Sequence, residues 1–521
     1  MSPYQELDFI IRGGTVLDGS GAPGRRADVG VRGDRIAAVG DLRQAGGVPG
    51  VDAGGLVVAP GFIDAHAHDD QAVFARETSE PKLSQGVTSV VVGNCGISLA
   101  PLMLTKGTAQ EGGALSSHAG VRSLVLPTTG PGEARARCPD LPGDPPAPLN
   151  LLGGRERFRF DSFKAYVDAL DAAPLPVNVA ALVGHGTLRV RNLPDFSRPA
   201  SPAEVRAMAG DVAAAMDAGA AGLSCGLAYP TNCAADTAEV AALARVAADR
   251  GGRLCMHIRD EYDGVAESVR EAFRCARESG AFLVLSHQKV AGAANHGRSA
   301  EILEIYRREG EGIPFAIDVY PYTAGSSVLD PVSVAHSRRV LVAWSRPHPE
   351  MDGRPLDRIA ADWGCTRAEA IDRLQPAGGI HFHMAEADVA RFLSWDRCMV
   401  GSDGLPHDQH PHPRLWGAFA RVLGPCVRDQ GLFALPEAVR KMTSLPASVF
   451  GLADRGLVRE GAYADLVLFD PARVRDRATY EDPRRPADGI ERVFVNGRQA
   501  WPEVPGENGC WGRFLPGCGR T

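Results

Sequence analysis

Eight short apolar runs, spread through the middle of the chain, are the feature that most narrows its possible folds. They fall at residues 56–64, 87–93, 177–184, 220–224, 253–257, 282–287, 315–320 and 398–402. Runs of this length are strand-sized, and a strand buried on both faces reads as continuously apolar. Between most of them lie segments with helical apolar spacing, such as 202–218, 237–250, 264–278, 299–308 and 436–450. Strands that alternate with helices build a parallel sheet, and eight such units close into a (β/α)8 barrel of the TIM type. The pattern predicts an α/β chain of that class.

The two chain ends have a different texture. Residues 9–12, 15–17, 28–32 and 35–39 read as short strands separated by the turns Gly13-Gly14 and Gly19-Ser20-Gly21. Near the other end, 464–469 reads as a strand, and 492–495 followed by Asn496-Gly497 is a hairpin signal. We therefore expect a small β domain from residues 1–58 and 453–521, and the barrel over 59–452. Two connections within the barrel are long, at about 97–160 and 324–396. The second holds several short helical pieces. Loops of that length in a compact domain usually cover a functional site.

Composition excludes several functions. The 521 residues carry a formal net charge of -7, so nucleic acid and anionic membrane surfaces are not expected partners. No apolar run approaches the roughly 20 residues of a membrane span. Residues 1–9 carry charges and no apolar leader-like stretch, so a cytoplasmic location is expected. The 11 cysteines are an odd number scattered through a long chain, which favours thiols over disulfides.

One of those thiols stands out by position. The predicted strands end in metal-ligand residue types: His66 and His68 after the first, Cys95 after the second, His257 at the fifth, His287 at the sixth and Asp403 after the eighth. Side chains two apart on a strand share a face, so His66 and His68 can clamp one cation. The C-terminal strand ends of a barrel converge on one face. Thiolate and imidazole together suit zinc. Each residue alone has an ordinary structural reading, as a core histidine, a buried thiol or a turn former. Six at the ends of five strands point jointly to a metal site.

The segment Val58-Ala59-Pro60-Gly61-Phe62-Ile63-Asp64-Ala65-His66-Ala67-His68 resembles the first-strand signature of the amidohydrolase superfamily. Asn94-Cys95-Gly96, Gly184-His185-Gly186-Thr187, Gly222-Leu223-Ser224-Cys225-Gly226-Leu227-Ala228-Tyr229-Pro230, Ser286-His287-Gln288-Lys289, Gly401-Ser402-Asp403-Gly404 and His410-Pro411-His412-Pro413-Arg414 narrow it. They resemble the D-aminoacylases, the N-acyl-D-amino-acid deacylases, along nearly the whole chain. The resemblance implies a metal-dependent (β/α)8 barrel with a small β-sandwich domain formed from both chain ends. It implies Cys95, His257 and His287 as tight zinc ligands. It implies His66, His68 and Asp403 at a second, weaker position, with Asp403 as general acid and base. It also implies that Tyr229, Lys289, Tyr320, Ser326 and Arg414 hold the substrate's carboxylate and acyl oxygen. Many amidohydrolases bridge two metals with a carboxylated Lys on the fourth strand. Residues 220–224 contain none, and Cys95 resembles its replacement. The sequence departs from the related pattern at Gln288, where another His is frequent.

The expected activity is zinc-dependent hydrolysis of a linear N-acyl-D-amino acid to a carboxylate and a free D-amino acid. At least one Zn2+ is expected, with the second left open. Two alternatives stand beside it: a cyclic-amide hydrolase of hydantoinase or dihydroorotase type, and a non-catalytic barrel scaffold. The absent fourth-strand Lys argues against the first, and the retained ligand set against the second.

Overall fold

The computed structural model describes residues 6–105 and 141–517, so much of the 97–160 connection lies outside the described residues. The barrel strands are β1 (Phe62–Asp64), β2 (Val87–Val92), β3 (Asn178–Ala181), β4 (Gly222–Gly226), β5 (Arg253–His257), β6 (Phe282–Leu285), β7 (Phe315–Val319) and β8 (Cys398–Val400). Each lies within or overlaps one of the expected runs. Neighbouring strands pair in parallel, with Val183–Gly184 carrying β3 onward to β4. The ring closes between β8 and β1. There Ala65 N–H donates to the Val400 carbonyl at 3.2 Å, and Ala67 bridges in parallel to Gly404.

Strand alternation sorts the side chains. Ile63, Val91, Ala180, Cys255, Val284, Ala316 and Met399 pack together in one buried cluster. Val90 and Val92, on the other face of β2, join the larger cluster shared with the helices. Local signals set the helix starts. Ser201 and Glu204 form a capping box at Pro202–Asp217, and Asp236 caps Thr237–Ala248. The single helix expected over 436–450 is two, Leu435–Met442 and Ser444–Phe450, because Thr443 leaves helical geometry at φ -134°.

The chain ends build one sheet of eight strands, from Phe9–Val16 to Val57–Pro60 and from Leu466–Phe469 to Arg498–Trp501. Val57–Pro60 pairs with Leu466–Phe469, which joins the two halves, so the sheet runs two residues past 58. The last described residues leave this sheet. Leu515 N–H donates to the Val179 carbonyl at 2.7 Å, and the Leu515 side chain joins the cluster of inward-facing barrel residues.

The second long connection holds the expected short helical pieces, among them Pro331–Ala335 and Glu386–Leu393, but also a sheet that was not expected. Three antiparallel strands, Ala324–Val328, Arg339–Ser345 and Ala377–Phe382, form a separate sheet with Ala377–Phe382 in the centre. Helices Leu356–Asp362 and Arg367–Leu374 pack on its Val342 side through Leu356, Ile359, Ile371 and Leu374. Gly378 and Gly379 hid the central strand, as glycine is depleted from strands. Among the described residues no helix is long and apolar enough to cross a membrane.

Candidate active site

The C-terminal strand ends open into a cavity of about 720 Å³ that the inserted sheet covers. His68, His257, His287 and Asp403 line it, as do Tyr229, Lys289, Tyr320, Ser326 and Arg414. His66 and Cys95 are buried. All eleven residues singled out in the sequence therefore meet in one place.

The backbone is bent to bring them there. Cys95, His287 and Asp403 have φ of 55°, 33° and 49°, in the left-handed region that non-glycine residues rarely enter. Each follows a strand end, where the turn swings its side chain to the barrel axis. Such conformations persist when the surroundings over-determine them, and they gather at functional sites. Gly401 is needed for a related reason, as a Cβ there would lie 2.5 Å from the His66 Cβ.

The donors form two overlapping groups: His66, His68, Cys95 and Asp403, and Cys95, His257 and His287. Cys95 belongs to both. Its Sγ lies 3.2 Å from His66 Nε2 and 3.2 Å from His287 Nε2. His287 Nε2 is 3.0 Å from His257 Nδ1, and His68 Nε2 is 3.2 Å from Asp403 Oδ1.

This donor set fits a divalent cation. Burial alone would push the Cys95 thiol up, but His287 and His66 beside it outweigh burial and hold it well below its ordinary value. Burial opposes a charge on His68, yet Asp403 and Cys95 raise it to about 9. Arg414 already balances the Asp403 carboxylate, so the buried thiolate draws its compensating charge from the imidazoles around it. A bound cation takes over that role and releases the protons. The distances and the thiolate–imidazole–carboxylate chemistry match a zinc site.

Residues that were not singled out in the sequence aim these ligands. Asp318, on β7, accepts the His287 backbone N–H at 2.8 Å and lies 3.1 Å from His66 Nδ1, which turns His66 Nε2 toward Cys95. Such carboxylate–imidazole contacts fix ligand orientation and tautomer. Asp318 was detectable as an acid inside an otherwise apolar run. Beneath the β1 and β8 ends, Lys82 donates to Asp64 Oδ2 at 2.7 Å and Ser402 Oγ at 2.7 Å, and lies 3.1 Å from Asp69. Asp64 Oδ1 accepts the Ser402 and His66 backbone N–H groups at 2.8 and 3.2 Å. This buried network ties the His66–His68 segment to the Asp403 turn.

The remaining residues surround the donors. Arg414 Nη1 lies 2.7 Å from Asp403 Oδ2, its Nη2 donates to the Ser326 carbonyl at 3.1 Å, and its guanidinium stacks 4.5 Å from the Tyr320 ring centre. Lys289 donates to Glu261 Oε1 at 2.6 Å. Lys289 Nζ and Glu261 Oε1 both approach His287 Nδ1, at 2.6 and 3.2 Å. The tautomer decides which contact is made: unprotonated Nδ1 accepts from the Lys289 ammonium, whereas Nδ1–H donates to Glu261 and leaves Nε2 with its lone pair toward Cys95. The Tyr229 ring packs edge-on against His257, and the Ser326 hydroxyl donates to Asp408 at 3.4 Å. Gln288 leaves the site untouched: its side chain accepts from the Tyr306 hydroxyl.

A sequence model of the amidohydrolase family, described as "Amidohydrolase family", matches residues 50–300 and 360–500. A D-aminoacylase of Alcaligenes xylosoxydans xylosoxydans is 46% identical over 96% of this chain and 96% of that one. A solved D-aminoacylase structure, described as having a binuclear metal centre with one-metal activation and second-metal attenuation, superposes with a TM-score of 0.87 at 46% identity, covering 98% and 99% of the two chains. An N-acyl-D-glutamate deacylase of Bordetella bronchiseptica, solved with zinc and a phosphonate mimic of the tetrahedral intermediate, superposes with a TM-score of 0.88 at 44% identity, covering 98% and 100%.

Proposed function

The chain belongs to the amidohydrolase family and to its D-aminoacylase branch, and on that premise we propose the roles of its residues. It hydrolyses N-acyl-D-amino acids, giving a carboxylate and a free D-amino acid, and it depends on zinc. The observation that carries the residue assignment is the pair of donor groups sharing Cys95 beneath one cavity.

Cys95, His257 and His287 would hold the tight metal, and His66, His68 and Asp403 would serve a second, weaker position. Zinc bound there supplies Lewis acidity, which makes water nucleophilic near neutral pH. Burial pushes the Asp403 carboxyl up, but Arg414 and the His287 imidazole hold it well below the usual carboxylate range. Asp403 is therefore the ionised base that accepts the water proton. The water oxygen bonds to the acyl carbon, the C–N bond breaks, and Asp403 returns the proton to the departing nitrogen. Tyr229 stands over His257 where it can donate to the acyl oxygen as negative charge develops. Lys289, Arg414, Tyr320 and Ser326 orient the substrate carboxylate.

The cavity wall also bears on the substrate's side chain. Its cations among the described lining residues each have a carboxylate partner: Arg259 with Glu271, Lys289 with Glu261 and Arg414 with Asp403. Pro331, Val332, Tyr262 and Ser333 contribute neutral surface. An uncharged side chain suits this wall better than a second carboxylate. A hydrolysis screen of N-acetyl-D- and L-amino acids with zinc-loaded protein tests the function. Turnover confined to hydantoins or to L-substrates would refute it.

A further inference from the structure

His383 immediately follows the central strand of the inserted sheet, Ala377–Phe382, and lines the cavity. Its side chain is buried, at 8% exposure, yet neither ring nitrogen has a hydrogen-bond partner. Leaving buried polar atoms unpaired is costly, and native proteins do so chiefly where a ligand completes them. The Tyr320 hydroxyl is unpaired in the same way, as is Arg414 Nε.

These orphans share a notch. Gly325 lines the cavity between them, and a Cβ built there would lie 3.2 Å from His383 Nε2 and 3.4 Å from the Tyr320 hydroxyl. The absence of a side chain at Gly325 keeps that space open. Around it, the Arg414 guanidinium lies 4.5 Å and the Lys289 ammonium 5.7 Å from the Tyr320 ring centre. Burial and the neighbouring His381 push the His383 imidazole down to about 3, so the ring is neutral and carries one N–H. Lys289 and Arg414 are already paired with Glu261 and Asp403, so what the notch itself offers is two unpaired donors, an imidazole N–H and a phenol O–H, with no acceptor of their own, which suits an anionic oxygen. The α-carboxylate is the one ionised group common to all N-acyl amino acids.

We propose that His383 is a further substrate-binding residue, donating to an oxygen of the substrate α-carboxylate in the notch that Gly325 leaves beside Tyr320. The inference rests on the deacylase reading and adds a contact that no sequence motif marked.

The test is steady-state kinetics on zinc-loaded His383→Phe, His383→Gln and Gly325→Ala with N-acetyl-D-leucine, alongside zinc content and unfolding midpoint. His383→Phe is expected to raise KM by roughly 10- to 100-fold, the scale of one hydrogen bond to a charged group. His383→Gln, which keeps an N–H donor, is expected to stay within about threefold of wild type. Gly325→Ala fills the notch without removing either donor, and is expected to raise KM by about tenfold or more. Wild-type KM in His383→Phe, or equal losses in the Phe and Gln variants, would overturn the proposal. If His383→Phe does not fold, an unchanged KM in Gly325→Ala does the same. Failure of the deacylase reading looks different: the wild-type protein then turns over no N-acyl-D-amino acid, and the inference falls with it.

Discussion

Asp403 and Arg414 face each other at 2.7 Å, with the Arg414 side chain fully buried against the carboxylate. The pair couples the residue proposed to carry the proton to one proposed to hold the substrate. Asp403→Ala is expected to lower kcat by about 10²- to 10⁴-fold, the usual share of a positioned acid–base group. Zinc content should stay near one per chain, because Cys95, His257 and His287 remain. Wild-type turnover in this variant removes Asp403 from the mechanism.

The same pair predicts a pH effect. Arg414 lowers the Asp403 pKa, so Arg414→Met should raise it. A base that protonates at higher pH loses activity earlier on acidification. The acidic limb of the kcat/KM profile should therefore move to higher pH in Arg414→Met and stay near wild type in Arg414→Lys. An unmoved limb in Arg414→Met means that another group sets it.

Metal stoichiometry separates the two donor groups. Cys95→Ala removes a ligand from both and should leave little zinc after dialysis. His68→Ala should keep about one zinc, as the Cys95, His257 and His287 group stays whole. Elemental analysis decides this, and equal zinc loss in both variants contradicts the division. Chelation of the wild-type protein should abolish activity, and added zinc should restore it.

Lys82 neutralises Asp64 and Asp69 where water does not reach. Lys82→Met would strand two buried carboxylates and should cost about 3–5 kcal/mol. A lowered unfolding midpoint is the expected reading, and an unchanged midpoint shows that the network can be replaced.

Side-chain preference follows from the paired cations of the cavity wall. N-acetyl-D-leucine should be hydrolysed with a higher kcat/KM than N-acetyl-D-glutamate. The reverse order would place a free cation within reach of the bound side chain.

The sequence alone determined the eightfold alternation, the two strand-rich ends and the residues whose side chains could hold a metal. Those features are local: a strand's apolar run, a His-x-His spacing and a thiol after a strand are each legible within a few residues. It did not show the inserted sheet, whose central strand carries two consecutive glycines, nor the Leu515 contact with the barrel interior. Only the tertiary structure decided that Cys95 belongs to both donor groups, that Asp318 aims His66, and that Arg414 pairs with Asp403. His383 entered the site in the same way, from an insertion far along the chain. Such relations depend on barrel closure and on three left-handed backbone turns, at Cys95, His287 and Asp403. Strand periodicity places a residue on a face. Which side chains meet across the barrel axis is set by how the strands close.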